Sequence, residues 1–126
     1  MNSTTLIASN KKFVLGVVEI LDQMPRTYAF DAFSRQLIRC SSSVGANYRA
    51  ACRAKSEADF INKLKIVEEE ADESIYFLDL IRELYEGSAL LKIEELLKEA
   101  DELLAIYVAS IVTMRKKQMG RKNQKS

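Results

Sequence analysis

Basic side chains that could bind phosphate form two groups along the chain. The first group lies within residues 35–53 and comprises Arg35, Arg39, Arg49 and Arg53. The second group lies within residues 115–126 and includes Arg115, Lys116, Lys117, Arg121 and Lys122. Contacts from lysine and arginine to phosphate oxygens supply affinity for nucleic acid without reading its sequence. The two groups therefore predict a surface that binds RNA or DNA.

An acidic run offers the first group of arginines a different partner. The run comprises Glu68, Glu69, Glu70, Asp72 and Glu73. The arginines could pair with these acids, while Ser43 and Asn47, which are four residues apart on one helix face, hydrogen-bond across a helix interface. In that case the polar residues would stabilise the fold rather than bind nucleic acid. Both hypotheses are consistent with the residue pattern.

The same acidic run is a weak candidate for a metal site. Glu69 and Glu73 share a helix face, but carboxylate di-iron bundles combine glutamates with Glu-x-x-His motifs, and the chain has no histidine. Magnesium would need converging carboxylates and usually a phosphate substrate. Neither Cys40 nor Cys52 has an evident activating partner for nucleophilic catalysis. We therefore expect no metal, no cofactor and no enzymatic activity.

Composition favours one helical domain. The 126 residues are 48% hydrophobic and 29% charged, with one proline and four glycines, so there are few residues that would interrupt long helices. Residues 115–126 hold six of the 19 basic residues and none of the 18 acidic ones, so residues 1–114 carry a formal charge of −5. We predict that residues 1–114 form the folded domain and that residues 115–126 form a disordered basic tail.

Cysteine usage and hydropathy favour a cytoplasmic location. Cys40 and Cys52 would lie about 18 Å apart on one helix, which is too far for a disulfide. Two unpaired cysteines suit a reducing compartment. No apolar run approaches the roughly 20 residues that a membrane-spanning helix needs. We expect a cytoplasmic protein without a membrane partner.

Apolar residues at three- and four-residue spacing predict four amphipathic helices. They cover about residues 5–24, 31–54, 56–86 and 89–117. Pro25 should end the first helix, and Ser56 with Asp59 fits an N-terminal capping box of the third. Long helices with short connections predict an all-α, antiparallel up-down-up-down four-helix bundle.

Some apolar stripes are wider than one bundle requires. We expect Ile61, Phe77 or Leu80 to stay partly uncovered, which favours self-association. The alternative is that the wide stripes simply face the bundle interior. Small residues within the second helix, above all Gly45, indicate a close approach of another helix, because glycine otherwise lowers helix stability.

The central part of the chain carries a recognisable motif. Its positions are Ser43, Val44, Ala46, Asn47, Arg53, Ser56, Asp59 and Phe60. This pattern resembles the four helix bundle proteins encoded by intervening sequences within bacterial large-subunit ribosomal RNA genes. The accessory variability determinant proteins of diversity-generating retroelements belong to the same group. The resemblance spans about residues 13–114, although Ala50 and Ala51 stand where the family usually has a glutamate.

The resemblance implies an assembly and a set of partners. It implies a homopentameric barrel with a central pore and a positively charged surface that meets nucleic acid. It also implies that a reverse transcriptase could be a partner, as in the retroelement branch. From the residues and the resemblance together we predict a non-enzymatic homo-oligomer that binds nucleic acid or a nucleic-acid-processing protein. The rival hypothesis is a protein-interaction scaffold that does not bind nucleic acid.

Overall fold

Four helices make up the protein. The structure is a computed structural model that describes residues 2–125, in which we find no β-strand. The helices are α1 (Ser3–Leu21), α2 (Tyr28–Ala51), α3 (Glu57–Leu84) and α4 (Leu90–Lys125). The prediction of an all-α, four-helix protein is confirmed. Within residues 2–125 there is no helix that is long and apolar enough to span a membrane.

The helices form a ring in which each one contacts two neighbours. α1 packs against α2 and α4, and α3 packs against the same two helices. Gly16 of α1 lies against Leu96, whereas Asn10, which comes earlier in α1, contacts Tyr107, which comes later in α4. This order shows that α1 and α4 are antiparallel, as an up-down-up-down order of the four helices predicts.

Local signals explain most of the helix ends. Thr27 accepts a hydrogen bond from the Phe30 backbone N–H at 3.3 Å, so α2 begins three residues before the predicted start. Ser56 caps α3 by accepting from the Asp59 N–H at 3.1 Å, as predicted. The Asp59 carboxylate accepts from the Lys55 N–H at 3.1 Å and not from the N–H of Ser56, so the capping box is displaced by one residue.

A tyrosine side chain stabilises the turn between α3 and α4. The Tyr85 hydroxyl accepts a hydrogen bond from the Ala89 backbone N–H at 3.1 Å, just before α4 begins. Gly87 has a positive φ of 157°, and a Cβ there would lie 2.8 Å from Cζ of Tyr85. Glycine is therefore required by both the backbone conformation and the packing of the tyrosine ring.

The core runs through the whole ring of helices. Its fully buried side chains include Val17, Leu37, Leu64, Leu78 and Ile93. Burying a side chain of this size stabilises the fold by about 1.5–3 kcal/mol. Ile61 is also buried, with 6% of its surface exposed, so the expectation that it stays uncovered is wrong; Phe77 and Leu80 are half-buried. The helical repeat predicts which residues share a face, but not how much of that face a neighbouring helix covers.

A polar pair sits inside this core. The Tyr107 hydroxyl donates a hydrogen bond to Oδ1 of Asn10, and the two residues are 0% and 2% exposed. Among the described residues, Nδ2 of Asn10 has no hydrogen-bond partner. The ring of Tyr107 packs against that of Tyr48 with centroids 5.8 Å apart. Burial raises the pKa of both phenols, and a hydrogen bond with the Cys52 thiol also raises that of Tyr48, which reaches about 12.

α4 extends further than predicted. It continues as helix through residues 115–125, where we predicted a disordered tail. The segment contains lysine, arginine, glutamine and methionine, which are good helix formers, and its one glycine costs roughly 1 kcal/mol. An ion pair between Arg121 and Glu57 also ties the segment to the start of α3. This ion pair places Arg121 beside the start of α3.

Candidate nucleic-acid interface

One end of the bundle brings together three parts of the chain. They are the end of α2, the start of α3 and the last turns of α4. A shallow cavity at this end is lined by Cys52 and Lys55 from the α2–α3 connection, Phe60 of α3 and Met114 of α4. The last residues of the first basic group and the second basic group, which are about sixty residues apart in sequence, are therefore neighbours in the fold.

We call the exposed basic side chains at this location the basic end. Its members are Arg49, Arg53, Lys55, Arg115, Lys116, Lys117, Arg121 and Lys122, and all of them are exposed. Arg121 pairs with Glu57, and within residues 2–125 the others form no ion pair. Sequence reasoning missed Lys55, although its position beside Arg53 in a polar connection was a usable signal. Apart from Arg121, these side chains can contact an anionic ligand without first breaking an ion pair within residues 2–125.

The structure separates two predicted members from this surface. Arg39 lies on the side of the bundle, where its Nη1 is 3.3 Å from Glu70 and its Nη2 is 2.5 Å from Glu73. The hydrogen bond to Glu73 raises the pKa of Arg39 above its ordinary value. Arg39 therefore pairs with acids of α3, as the second of the two hypotheses expects for these arginines.

Arg35 lies at the other end of the bundle. It lines a small cavity with Leu21 and Pro25 of the α1–α2 segment and with Asp31. At 1.5 Å per residue, Arg35 lies about 24 Å from Ala51, the last residue of α2, and Arg53 lies beyond that end. Arg35 and the basic end therefore cannot contact the same short stretch of phosphates.

Ser43 and Asn47 act within their own helix. Nδ2 of Asn47 donates to the backbone carbonyl oxygen of Ser43 at 2.9 Å. Both side chains are half-buried. The expected hydrogen bond across a helix interface is replaced by this local one, because residues four apart lie one above the other on a helix. Gly45 has an ordinary contact, since a Cβ there would lie 3.5 Å from Cβ of Asn10.

The other motif residues shape the corner between α2 and α3. Besides the cap made by Ser56, Lys63 Nζ lies 2.6 Å from Oδ1 of Asp59. That interaction, followed by the hydrogen bond from the Lys55 N–H, lowers the pKa of Asp59. Phe60 is half-buried and packs against the core. These contacts hold the connection between α2 and α3 in place, and with it the positions of Arg53 and Lys55.

The opposite end of the bundle has a different charge. Exposed acids there come from the end of α1, the end of α3 and the start of α4, and include Glu19, Asp22, Glu83, Glu86, Glu94 and Glu95. The protein is therefore polarised along the bundle axis. A charge distribution of this kind orients the molecule as it approaches a polyanion and raises the association rate. Among the described residues there is no cluster of three or more side chains suited to hold a metal ion.

Comparison with known proteins identifies the family. A search of curated proteins gives no match. A solved protein of unknown function from the S23 ribosomal protein family of Bacteroides thetaiotaomicron is 30% identical, with a TM-score of 0.72. The match covers 84% of this chain and 97% of that one. The family model described as 23S rRNA-intervening sequence protein matches residues 5–109, and the chain therefore belongs to that family.

Proposed function

We propose that this protein is a non-enzymatic, cytoplasmic nucleic-acid-binding protein that contacts RNA phosphates through its basic end. The observation that carries the proposal is the convergence of Arg53 and Lys55 with the basic residues of α4 at one end of the fold. The family name, which refers to sequences within 23S ribosomal RNA, favours RNA over DNA as the first ligand to test.

The geometry favours contacts to the nucleic-acid backbone over readout of bases. The basic side chains are long, exposed and distributed over two helix ends and a connection. Such side chains neutralise phosphates and release counterions, which gives affinity that falls steeply with salt. We therefore propose binding with weak sequence preference.

Fluorescence anisotropy with a labelled single-stranded RNA and a labelled duplex tests this function. With six or more phosphate contacts, affinity should fall by roughly 10³-fold or more between 50 and 200 mM salt. A variant with Arg53→Gln, Lys116→Gln and Lys117→Gln should bind more weakly and show a shallower salt dependence. The matched control is Arg26→Gln, Arg35→Gln and Lys98→Gln, which removes the same charge elsewhere. Absence of binding by the native protein at low salt would refute the proposal.

A second proposal concerns assembly. The segment from Leu103 to Met114 contains no charged residue, and its outer face is exposed at Ala105, Val108, Ala109 and Val112. Val108 and Val112 expose 40% and 46% of their surfaces. An apolar face of this kind is usually covered in a soluble assembly. We propose that identical copies associate through it, five copies being the number that the family resemblance implies.

Light scattering tests the assembly. A particle mass near five times 14.3 kDa would support the pentamer, and a mass of one protomer at micromolar concentration would contradict self-association. Val108→Lys should reduce the mass, whereas Lys98→Glu, which changes a charge elsewhere on α4, should not.

The partner could also be a protein. Purification from cells with and without nuclease separates the two hypotheses. A reverse transcriptase that stays bound after nuclease treatment would favour the retroelement role. A different stable protein partner, with no nucleic acid recovered, would favour the interaction scaffold.

A further inference from the structure

A cleft lies between the start of α3 and the end of α4. It is lined by Glu57 on one side and by Arg115, Gln118, Met119, Arg121 and Lys122 on the other. Its volume is about 640 Å³, which lies within the roughly 300–1,000 Å³ range of ligand clefts. The α4 residues at 115, 118, 119 and 122 share one helix face, so they form a continuous wall.

The register of α1 against α4 leaves this wall uncovered. Asn10 lies beside Tyr107, and the two helices are antiparallel. α1 begins seven residues before Asn10, at Ser3, which corresponds to about Met114 on α4. The turns of α4 after Met114 therefore have α3 as a neighbour but not α1. The cleft is a consequence of the extra length of α4.

Glu57 is the one acid among the described residues that line the cleft. Its carboxylate accepts a hydrogen bond from Nη1 of Arg121. The Glu57 side chain is 33% exposed and that of Arg121 is 57% exposed, so solvent reaches the pair. Glu57 is also the first residue of α3, where the helix dipole stabilises a negative charge. The carboxylate is therefore stable whether or not Arg121 stays beside it.

We propose that this cleft binds one phosphate group of a nucleic acid and that Glu57 occupies the place of that phosphate on Arg121 in the free protein. The inference rests on the proposed nucleic-acid binding and specifies how one subsite is regulated. An arginine guanidinium can donate to a carboxylate or to a phosphate in the same bidentate geometry. A phosphate in the cleft gains Arg115 and Lys122 in addition to Arg121, and this gain offsets the loss of the ion pair.

Met119 gives the cleft a second kind of surface. It lies among the basic residues and is 64% exposed. An apolar side chain beside a phosphate subsite can contact the sugar or base of the same nucleotide. A nucleotide within a chain therefore fits the cleft better than a free inorganic phosphate, which would have to displace Glu57 with charge alone.

The test compares RNA affinity of the native protein with that of Glu57→Gln. Removing the competing carboxylate should tighten binding by roughly two- to five-fold, the size expected for an exposed ion pair. Glu69→Gln, which removes the same charge from an exposed position of α3 outside the cleft, should have a smaller effect. In a protein that already carries Arg121→Gln, Glu57→Gln should increase the affinity for RNA no more than Glu69→Gln does. Circular dichroism verifies that each variant is folded.

The outcomes separate this inference from the function on which it rests. If neither the native protein nor Glu57→Gln binds RNA at low salt, the proposed function fails and the cleft inference fails with it. If the native protein binds and Glu57→Gln behaves like Glu69→Gln, binding stands and the competitor role of Glu57 is overturned. If inorganic phosphate at equal phosphate concentration displaces the labelled RNA as well as unlabelled RNA does, the preference for a nucleotide is overturned.

Discussion

Tyr107 of α4 and Asn10 of α1 form a buried hydrogen bond across the interface between the two helices. The phenol hydroxyl donates and the amide oxygen accepts. Neither side chain can exchange its partner for solvent without opening the core. The pair therefore favours one register of α1 against α4, in the way that a buried asparagine selects register in a coiled coil.

Tyr107→Phe should destabilise the fold, because it leaves the amide oxygen of Asn10 buried without a donor. The expected loss is about 1–3 kcal/mol in the free energy of unfolding, measured by urea denaturation. The control is Tyr28→Phe, which removes the hydroxyl of a side chain that is 90% exposed and should change stability little. Equal stability of Tyr107→Phe and the native protein would show that this hydrogen bond does not stabilise the fold.

Glycine substitutions at two positions should have opposite effects. Gly87→Ala should destabilise by about 1–3 kcal/mol, because its φ of 157° is unfavourable for alanine and the new methyl group meets the Tyr85 ring. Gly120→Ala places a methyl group where nothing lies within 4 Å, inside a helix, and should stabilise by up to about 1 kcal/mol. Thermal unfolding measures both. A loss of stability for Gly120→Ala would contradict the helical state of the end of α4.

The Asp59 carboxylate should make stability depend on pH. Its folded-state pKa is lowered, first by Lys63 and then by the Lys55 N–H. The stabilisation of the fold by this carboxylate is therefore complete above the unfolded-state pKa, near 3.9. It is lost as the pH falls through the folded-state pKa. Native protein should exceed Asp59→Asn in stability at pH 6–7, and the difference should shrink below about pH 4. Denaturation curves at several pH values measure this.

A second variant verifies the assignment. Lys63→Gln should lower stability in the native background but have little effect in the Asp59→Asn background, because the two side chains interact with each other. A difference between native protein and Asp59→Asn that stays constant from pH 7 to pH 2 would contradict the role of this carboxylate.

Arg39 of α2 and Arg53 of the connection that follows α2 should differ in function. Arg39 is engaged by Glu70 and Glu73, whereas Arg53 is exposed at the basic end. Arg53→Gln should weaken RNA binding and reduce the salt slope by about 1, whereas Arg39→Gln should leave both unchanged. Because the Arg39 pairs are exposed, its loss should change stability little. Equal effects on RNA binding would show that the surface extends along the side of the bundle.

The secondary structure could be predicted from local patterns. Apolar residues at three- and four-residue spacing indicated four helices, and Ser56 indicated the start of α3. Each of these depends on neighbours within a few residues, because helix hydrogen bonds and caps connect residues three or four positions apart. The motif in residues 43–60 was also sufficient to indicate the family.

The candidate site depended on tertiary structure. Sequence alone grouped Arg35 and Arg39 with Arg53, but the fold places Arg35 at the far end and pairs Arg39 with α3. In the fold the basic C-terminal segment is helical, and Arg121 lies beside Glu57, which is 64 residues away in sequence. Residue spacing determines which side chains share a face of one helix. Which faces meet, and which charges end up together, follows from packing four helices around a common core, since only that packing sets their register and covered areas.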